Sequence, residues 1–307
     1  MNFALALLAL AAPPDFESQS QQIAAIIETC ADRVALLRED EVDFVDSELN
    51  LSFSNGAELI YIGAAHTNDP DDPQLIAIQS AIEDDQPDIV LHEGYSWPNT
   101  ANLREAVQRY FEPGYTQSLA SSLGIPTGTL EPSEPDLWAE VLNKISALDY
   151  QMYLITRRVR GWVRQRINGT QLTERSDRYI SSLQSRGEAW GWPMPIAAFD
   201  EYQEHFQDVW PGLEFSQIPG DWFNPMLDGS QTGGRLINEA NRVESNIRNV
   251  AMFRRISSLI ADGETIVAVV GRNHVFQQAP AFQCLQDAIA NAAIDNVSSR
   301  MPIKSVN

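Results

Sequence analysis

The sequence predicts an α/β protein in which two βα-containing halves share one central, mixed, partly parallel sheet, with a mostly helical insert between them. Three observations lead there. Near both ends of the chain, strand-length apolar runs pass through a glycine-bearing turn into helical periodicity. From 136 to 235 that alternation stops, and Arg, Trp, Tyr and Pro become frequent. The composition, 44% hydrophobic and 21% charged over 307 residues, is that of a globular chain able to bury a sizeable core.

Taken in order, residues 1–12 form an apolar run that is too short to span a bilayer and has the length of a signal-peptide core. Ala9 and Ala11 supply a cleavage-like site, although no Lys or Arg precedes the run. The expectation is an exported, periplasmic or secreted chain with no membrane insertion after signal removal; the alternative is a buried N-terminal helix. Residues 13–135 make the first α/β half. Within it, 18–38 has the spacing of an amphipathic helix, with Ile23, Ile26, Ile27, Val34 and Leu37 on one side. Residues 58–62 form a strand, Gly63 to His66 turn the chain, and 74–83 form a helix with Leu75, Ile78 and Ile82 inward. Pro87 and Asp88 break the chain before a second strand at 89–91. A single crossover between apolar strands implies parallel, right-handed pairing, which sets His66 beside Glu93.

Residues 136–235 are the insert. Arg157, Arg158, Arg160, Arg164 and Arg166 crowd one segment of it and read as a solvated helix face, with anion recognition as the alternative. The Pro- and Gly-rich stretch 210–234 reads as a long loop or lid. Residues 236–307 complete the same domain: a long helix at 236–261, a strand at 265–270 apolar on both faces, and a second glycine turn. The only cysteines, Cys30 and Cys284, are either a disulfide or two buried thiols.

Two Gly-x-x-His segments, Gly63 to His66 and Gly271 to His274, each follow a strand. The crevice beyond strand C-termini is where open α/β sheets bind ligands, because helix N-termini and loop N–H groups converge there. His66, Glu93 and His274 are therefore expected to share a site. Imidazole and carboxylate suit a divalent metal (Mn, Co, Zn or Fe) that polarises a carbonyl or lowers the pKa of bound water. Glu131 is a candidate second ligand or general base, or simply a helix-start carboxylate. Arg248 is a candidate for stabilising developing negative charge, and Arg272 lies inside the second turn. Asp69, Asp71 and Asp72 read as helix-start caps, and His205 as structural. A formal charge of -21 repels a phosphate backbone, which excludes nucleic acid as a partner. No Gly-x-Ser-x-Gly, Walker A, Gly-x-Gly-x-x-Gly or His-Glu-x-x-His motif is present.

The pattern resembles the TraB/TIKI superfamily, which includes erythromycin-esterase-like and ChaN-like haem-uptake proteins. The resemblance rests on Tyr61 to His66, Pro87 to Glu93, Thr129 to Pro132, Arg248 to Met252 and Val267 to His274, short islands between 58 and 276. It implies a two-halved α/β fold with both Gly-x-x-His motifs at one site, a carboxylate at Glu93 and an arginine at Arg248. It also implies metal-dependent proteolysis, as in TIKI-like members, or hydrolysis of an ester, with a peptide or small molecule as substrate. The alternatives are a non-catalytic protein that binds haem or a small ligand, and a pseudoenzyme. The second motif departs from the pattern, with Arg272 and Asn273 where small residues are usual.

Overall fold

The computed structural model describes residues 14–34 and 47–300, and its sheet has five strands in the order β1-β2-β5-β3-β4. The edge strand β1 (Glu48–Ser52) runs antiparallel to β2 (Glu58–Ala64). β5 (Thr265–Gly271) pairs in parallel with both β2 and β3 (Ile89–His92), and β3 pairs in parallel with β4 (Thr127–Thr129). Four strands consequently end at one rim. The sequence reading placed the second strand beside the first; instead, β5 lies between β2 and β3. The reason is apolarity on both faces. Val267 and Val269 pack into the layer on one side, Ile266, Ala268 and Val270 into the other, and all are at most 2% exposed. A strand of that kind belongs at the centre.

One face is covered by α2 (Gln74–Glu83) and α3 (Leu103–Ser122), through Leu75, Ile78, Ile82, Val107 and Leu119. The other carries α1 (Pro14–Ala31), α9 (Arg235–Ala261) and α10 (Arg272–Arg300), through Met252, Phe253, Ile256, Phe282 and Leu285. α1 ends at Ala31, before the expected 38, and residues 35–46 lie outside the described residues, as does the expected signal at 1–12. Cys30 and Cys284 are joined as a disulfide that ties α1 to α10. No helix among the described residues is long and apolar enough to cross a membrane.

The insert is helical, comprising α4 (Glu134–Leu142), α5 (Ala147–Arg164), α6 (Gly169–Trp190), α7 (Phe199–Val209) and the single turn α8 (Gly229–Thr232). It has its own core, built from Trp138, Tyr150, Tyr153, Ile180, Tyr202 and Phe206. α9 serves both bodies: Ile237, Ala240 and Ile247 enter the insert core, while Met252 to Ile260 pack on the sheet. The stretch 210–234, expected as a loop or lid, is pinned rather than free. Trp222 is 3% exposed, its Nε1 donates to the Thr232 carbonyl at 3.0 Å, and its ring lies 4.7 Å from that of Trp210.

Candidate functional site

The parallel rim gathers the predicted residues. β2 leads to His66, β3 ends beside Glu93, β4 leads to Glu131, and β5 runs directly into the first turn of α10, which carries His274. β5 intervenes between β2 and β3, yet His66 and Glu93 still face each other, because the residue between them is Gly271. A Cβ built there would lie 3.2 Å from Glu93 Oε2, 3.7 Å from His66 Nε2 and 3.6 Å from His274 Cδ2. The missing side chain of Gly271 is the gap that the three groups share. Gly63 has a different purpose. A Cβ there would fall 2.7 Å from both the Arg272 Cα and the Ser47 carbonyl, so glycine lets β2 approach the start of α10.

Glu93 is the hub of a polar network. Its Oε2 accepts from the Gly271 N–H at 2.7 Å, and its Oε1 accepts from Arg248 at 2.7 Å and faces His274 Nε2 at 3.3 Å. Arg248 also donates through Nε to Glu131 Oε2 at 2.7 Å and makes a second, shorter bond to the same carboxylate. Glu131 accepts in addition from the Gly94 N–H at 3.1 Å. Burial alone would raise the Glu93 carboxyl, but His274, Arg248 and the Gly271 N–H together hold it well below its ordinary range. Burial opposes the Arg248 charge, yet Glu131 and Glu93 push its pKa well above the usual guanidinium value. Glu93 and Arg248 thus stay ionised although they are largely enclosed.

Two residues that the sequence reading gave no role set the histidines. Asn249, one position after Arg248 on α9, presents Oδ1 to His274 Nδ1 at 2.7 Å and accepts from Gln278 Nε2 at 2.8 Å. Because Oδ1 can only accept, His274 carries its proton at Nδ1 and aims Nε2 at Glu93. Glu112 is fully buried on α3 and lies 3.6 Å from His66 Nδ1. It also accepts from the Thr67 N–H. Its contact with His66, an exposed ring, raises the imidazole pKa. Phe111, at φ 57, and Pro113 kink α3 around Glu112 and turn that carboxylate inward. His92 does not join the site: it is buried in β3, and burial lowers its pKa. Asp71 pairs with Arg104, Asp72 accepts from the Gln74 N–H, and His205 lies on α7 in the insert.

The expected metal set was His66, Glu93 and His274. Among the described residues no group of three or more His, Cys, Asp or Glu could hold a metal ion. Both Glu93 oxygens accept from N–H donors, one of them on a guanidinium cation, so a divalent ion bound there would share the carboxylate with Arg248. Glu131 is likewise committed to Arg248 and the Gly94 N–H, as an anchor rather than a free ligand or base.

Two hollows meet at Glu93. One, of about 450 Å³, is lined by His66, Gly271, Arg272, Asn273 and His274, with Asn224 and Met226 from the pinned insert segment. The other, of about 480 Å³, lies against the insert and is walled by Trp138, Tyr150, Trp162 and Tyr179. In comparisons with known proteins, no family model and no curated protein matches this chain.

Proposed function

We propose that this chain hydrolyses an ester or amide bond by general acid–base chemistry at the rim between the two hollows. The observation that carries the reading is the gap at Gly271, where two oriented imidazoles and one ionised carboxylate face the same space. His66 is the base. Its Nδ1 is turned toward Glu112 and its Nε2 toward the gap, so Nε2 takes a proton from water as the water oxygen attacks the carbonyl carbon. His274 is the acid. Its contact with Glu93 is a hydrogen bond when Nε2 carries a proton, and that proton passes to the leaving alcohol or amine. The proton collected by His66 then restores His274 through solvent in the gap. The N-terminal end of α10, at Arg272 and Asn273, supplies helix-dipole stabilisation for the developing oxyanion. Arg248 balances Glu93 and Glu131; its bonds to them leave it a positioning residue and not the oxyanion donor first expected.

The resemblance to the TraB/TIKI superfamily supports hydrolysis of a peptide or ester bond, although by a metal-dependent route in its TIKI-like members, and the disulfide supports an oxidising, periplasmic or secreted location. The test is a panel of aryl esters and short peptides assayed with the full chain, with and without a chelator. Turnover should survive chelation and fall by at least about 100-fold in His66→Ala. Wild-type rates in that variant, activity only on addition of Mn, Co, Zn or Fe, or no turnover of any substrate would each overturn the proposal.

A further inference from the structure

The insert-side hollow has a chemistry that the acid–base reading does not use. Its floor is acidic and enclosed: the side chains of Glu93 and Glu131 are 13% and 5% exposed, and both are held by Arg248. Its outer part is cationic, with Arg157, Arg158 and Arg186 contributed by α5 and α6. Over the whole lining four arginines face four carboxylates, and in the outer part Arg158 is the arginine without a carboxylate beside it. Arg186 pairs with Glu134 at 2.6 Å, and Arg157 approaches Glu244 at 3.6 Å. Arg158 has no carboxylate within ion-pair distance among the described residues; its guanidinium instead lies 5.5 Å over the Tyr179 ring. Arg158 also donates a hydrogen bond to the Tyr179 side chain, which holds the guanidinium in place while its other N–H donors face outward. Arg158 is thus an exposed arginine held beside an aromatic cavity whose other arginines each have a carboxylate partner.

We infer that this hollow binds a small organic monoanion, a molecule with a planar or apolar body and one carboxylate. The body lies among Trp138, Trp162 and Tyr179, and the carboxylate sits on Arg158. Arg158 has no carboxylate partner of its own among the described residues, and an arginine edge matches a carboxylate through two parallel N–H donors. A cavity of about 480 Å³ admits a two-ring body and little more. Because both hollows share Glu93, a bound anion would extend its cleavable bond toward His66. The inference therefore rests on the hydrolytic reading for its meaning, while the binding itself does not. It turns the arginine-rich segment of α5 from a solvated face into the recognition element, at Arg158 and not at Arg164, which lies outside the cavity.

The experiment uses 1-naphthylacetate and its uncharged analogue 1-naphthylacetamide, titrated into the full, disulfide-bonded chain and followed by tryptophan fluorescence and calorimetry. The acetate should bind at least about tenfold more tightly than the amide. Arg158→Gln should remove that preference while leaving amide binding unchanged, and Arg164→Gln should alter neither. His66→Ala should bind the acetate as the wild type does. Equal affinity for the two probes, no binding of either, or a preference that survives Arg158→Gln would overturn the inference. A charge preference retained in His66→Ala, with no ester turned over by the wild type, would sink the hydrolytic reading alone. Turnover of naphthyl esters with charge-blind binding would sink only this one.

Discussion

Replacing Arg248 by Met removes the one cation that bonds to both Glu93 and Glu131 while keeping the volume of the side chain nearly constant. The Arg248 side chain is 17% exposed and the carboxylates 13% and 5%, so water cannot fully substitute for it. Breaking a buried ion pair from one side costs about 3–5 kcal/mol, because the remaining charge is left enclosed without a partner. For a chain of this size, at about 2–4 °C per kcal/mol, the melting temperature should drop by roughly 6–20 °C at neutral pH. The deficit should also depend on pH, with a defined sign. In the wild type the Glu93 carboxyl is held well below its ordinary value, so its stabilisation is present above about pH 4.3 and is lost as pH falls through the depressed native value. In Arg248→Met the Glu93 carboxylate loses part of that support and protonates more readily, so the gap between variant and wild type narrows on acidification. Urea unfolding at several pH values between about 4 and 8 measures this directly. Adding Glu93→Gln and Glu131→Gln to the same chain should recover most of the loss, because no buried charge is then left over. A deficit below about 1 kcal/mol, a deficit that does not change with pH, or a triple variant no more stable than the single one would refute the account of this network.

Two further outcomes follow from contacts elsewhere. Glu112 raises the His66 pKa above the ordinary imidazole value of about 6.5, and a base must be neutral, so ester hydrolysis should rise with pH through a midpoint above that value. Glu112→Gln should move this limb of the kcat/KM profile to lower pH, and an unmoved limb would remove His66 as the base. The Cys30–Cys284 disulfide spans 254 positions, and its removal in the Cys30→Ala, Cys284→Ala chain should cost up to about 5 kcal/mol by urea unfolding if restriction of the unfolded chain is its main effect. A loss under about 1 kcal/mol would mean that packing between α1 and α10 fixes their arrangement without it.

Elements with strong apolar periodicity were legible before any coordinates. The expected strand 58–62 extends to Ala64, the helix Gln74–Glu83 occurs as predicted, and the long helix before β5 differs by one residue at its start. β1 and α3 lacked such a signal. β1 alternates exposed and half-buried positions along Glu48–Ser52, so no apolar run marks it. α3 contains Pro113, a helix breaker by local rules, and it buries Glu112, Thr116 and Gln117, which are polar. Its two segments continue across the strained Phe111 because tertiary contacts, and not propensity, hold them together. The place of β5 between β2 and β3 was also hidden, since periodicity reports which faces of a strand are buried but not which strands are its neighbours.

The site divides in the same physical way. His66, Glu93, His274 and Arg248 could be singled out because their residue types and their places at strand ends or on α9 carry meaning locally. What they do depends on relations between distant single residues, Glu112 with His66 across 46 positions and Asn249 with His274 across 25, for which no spacing rule exists. Those relations change the chemistry. Read as isolated donors, two imidazoles and a carboxylate suggest a cation between them. Once Arg248 and the Gly271 N–H bond to the two carboxylate oxygens, much of that negative charge is already neutralised, which leaves less of it for a cation between Glu93 and His274. Asn249 accepts the Nδ1 proton on the opposite edge of the ring, so Nε2 is the nitrogen that faces Glu93 and the gap left by Gly271. On the proposed reading, a second proton at that nitrogen sets an acid beside a separately tuned base, the combination that cleavage of an ester or amide requires.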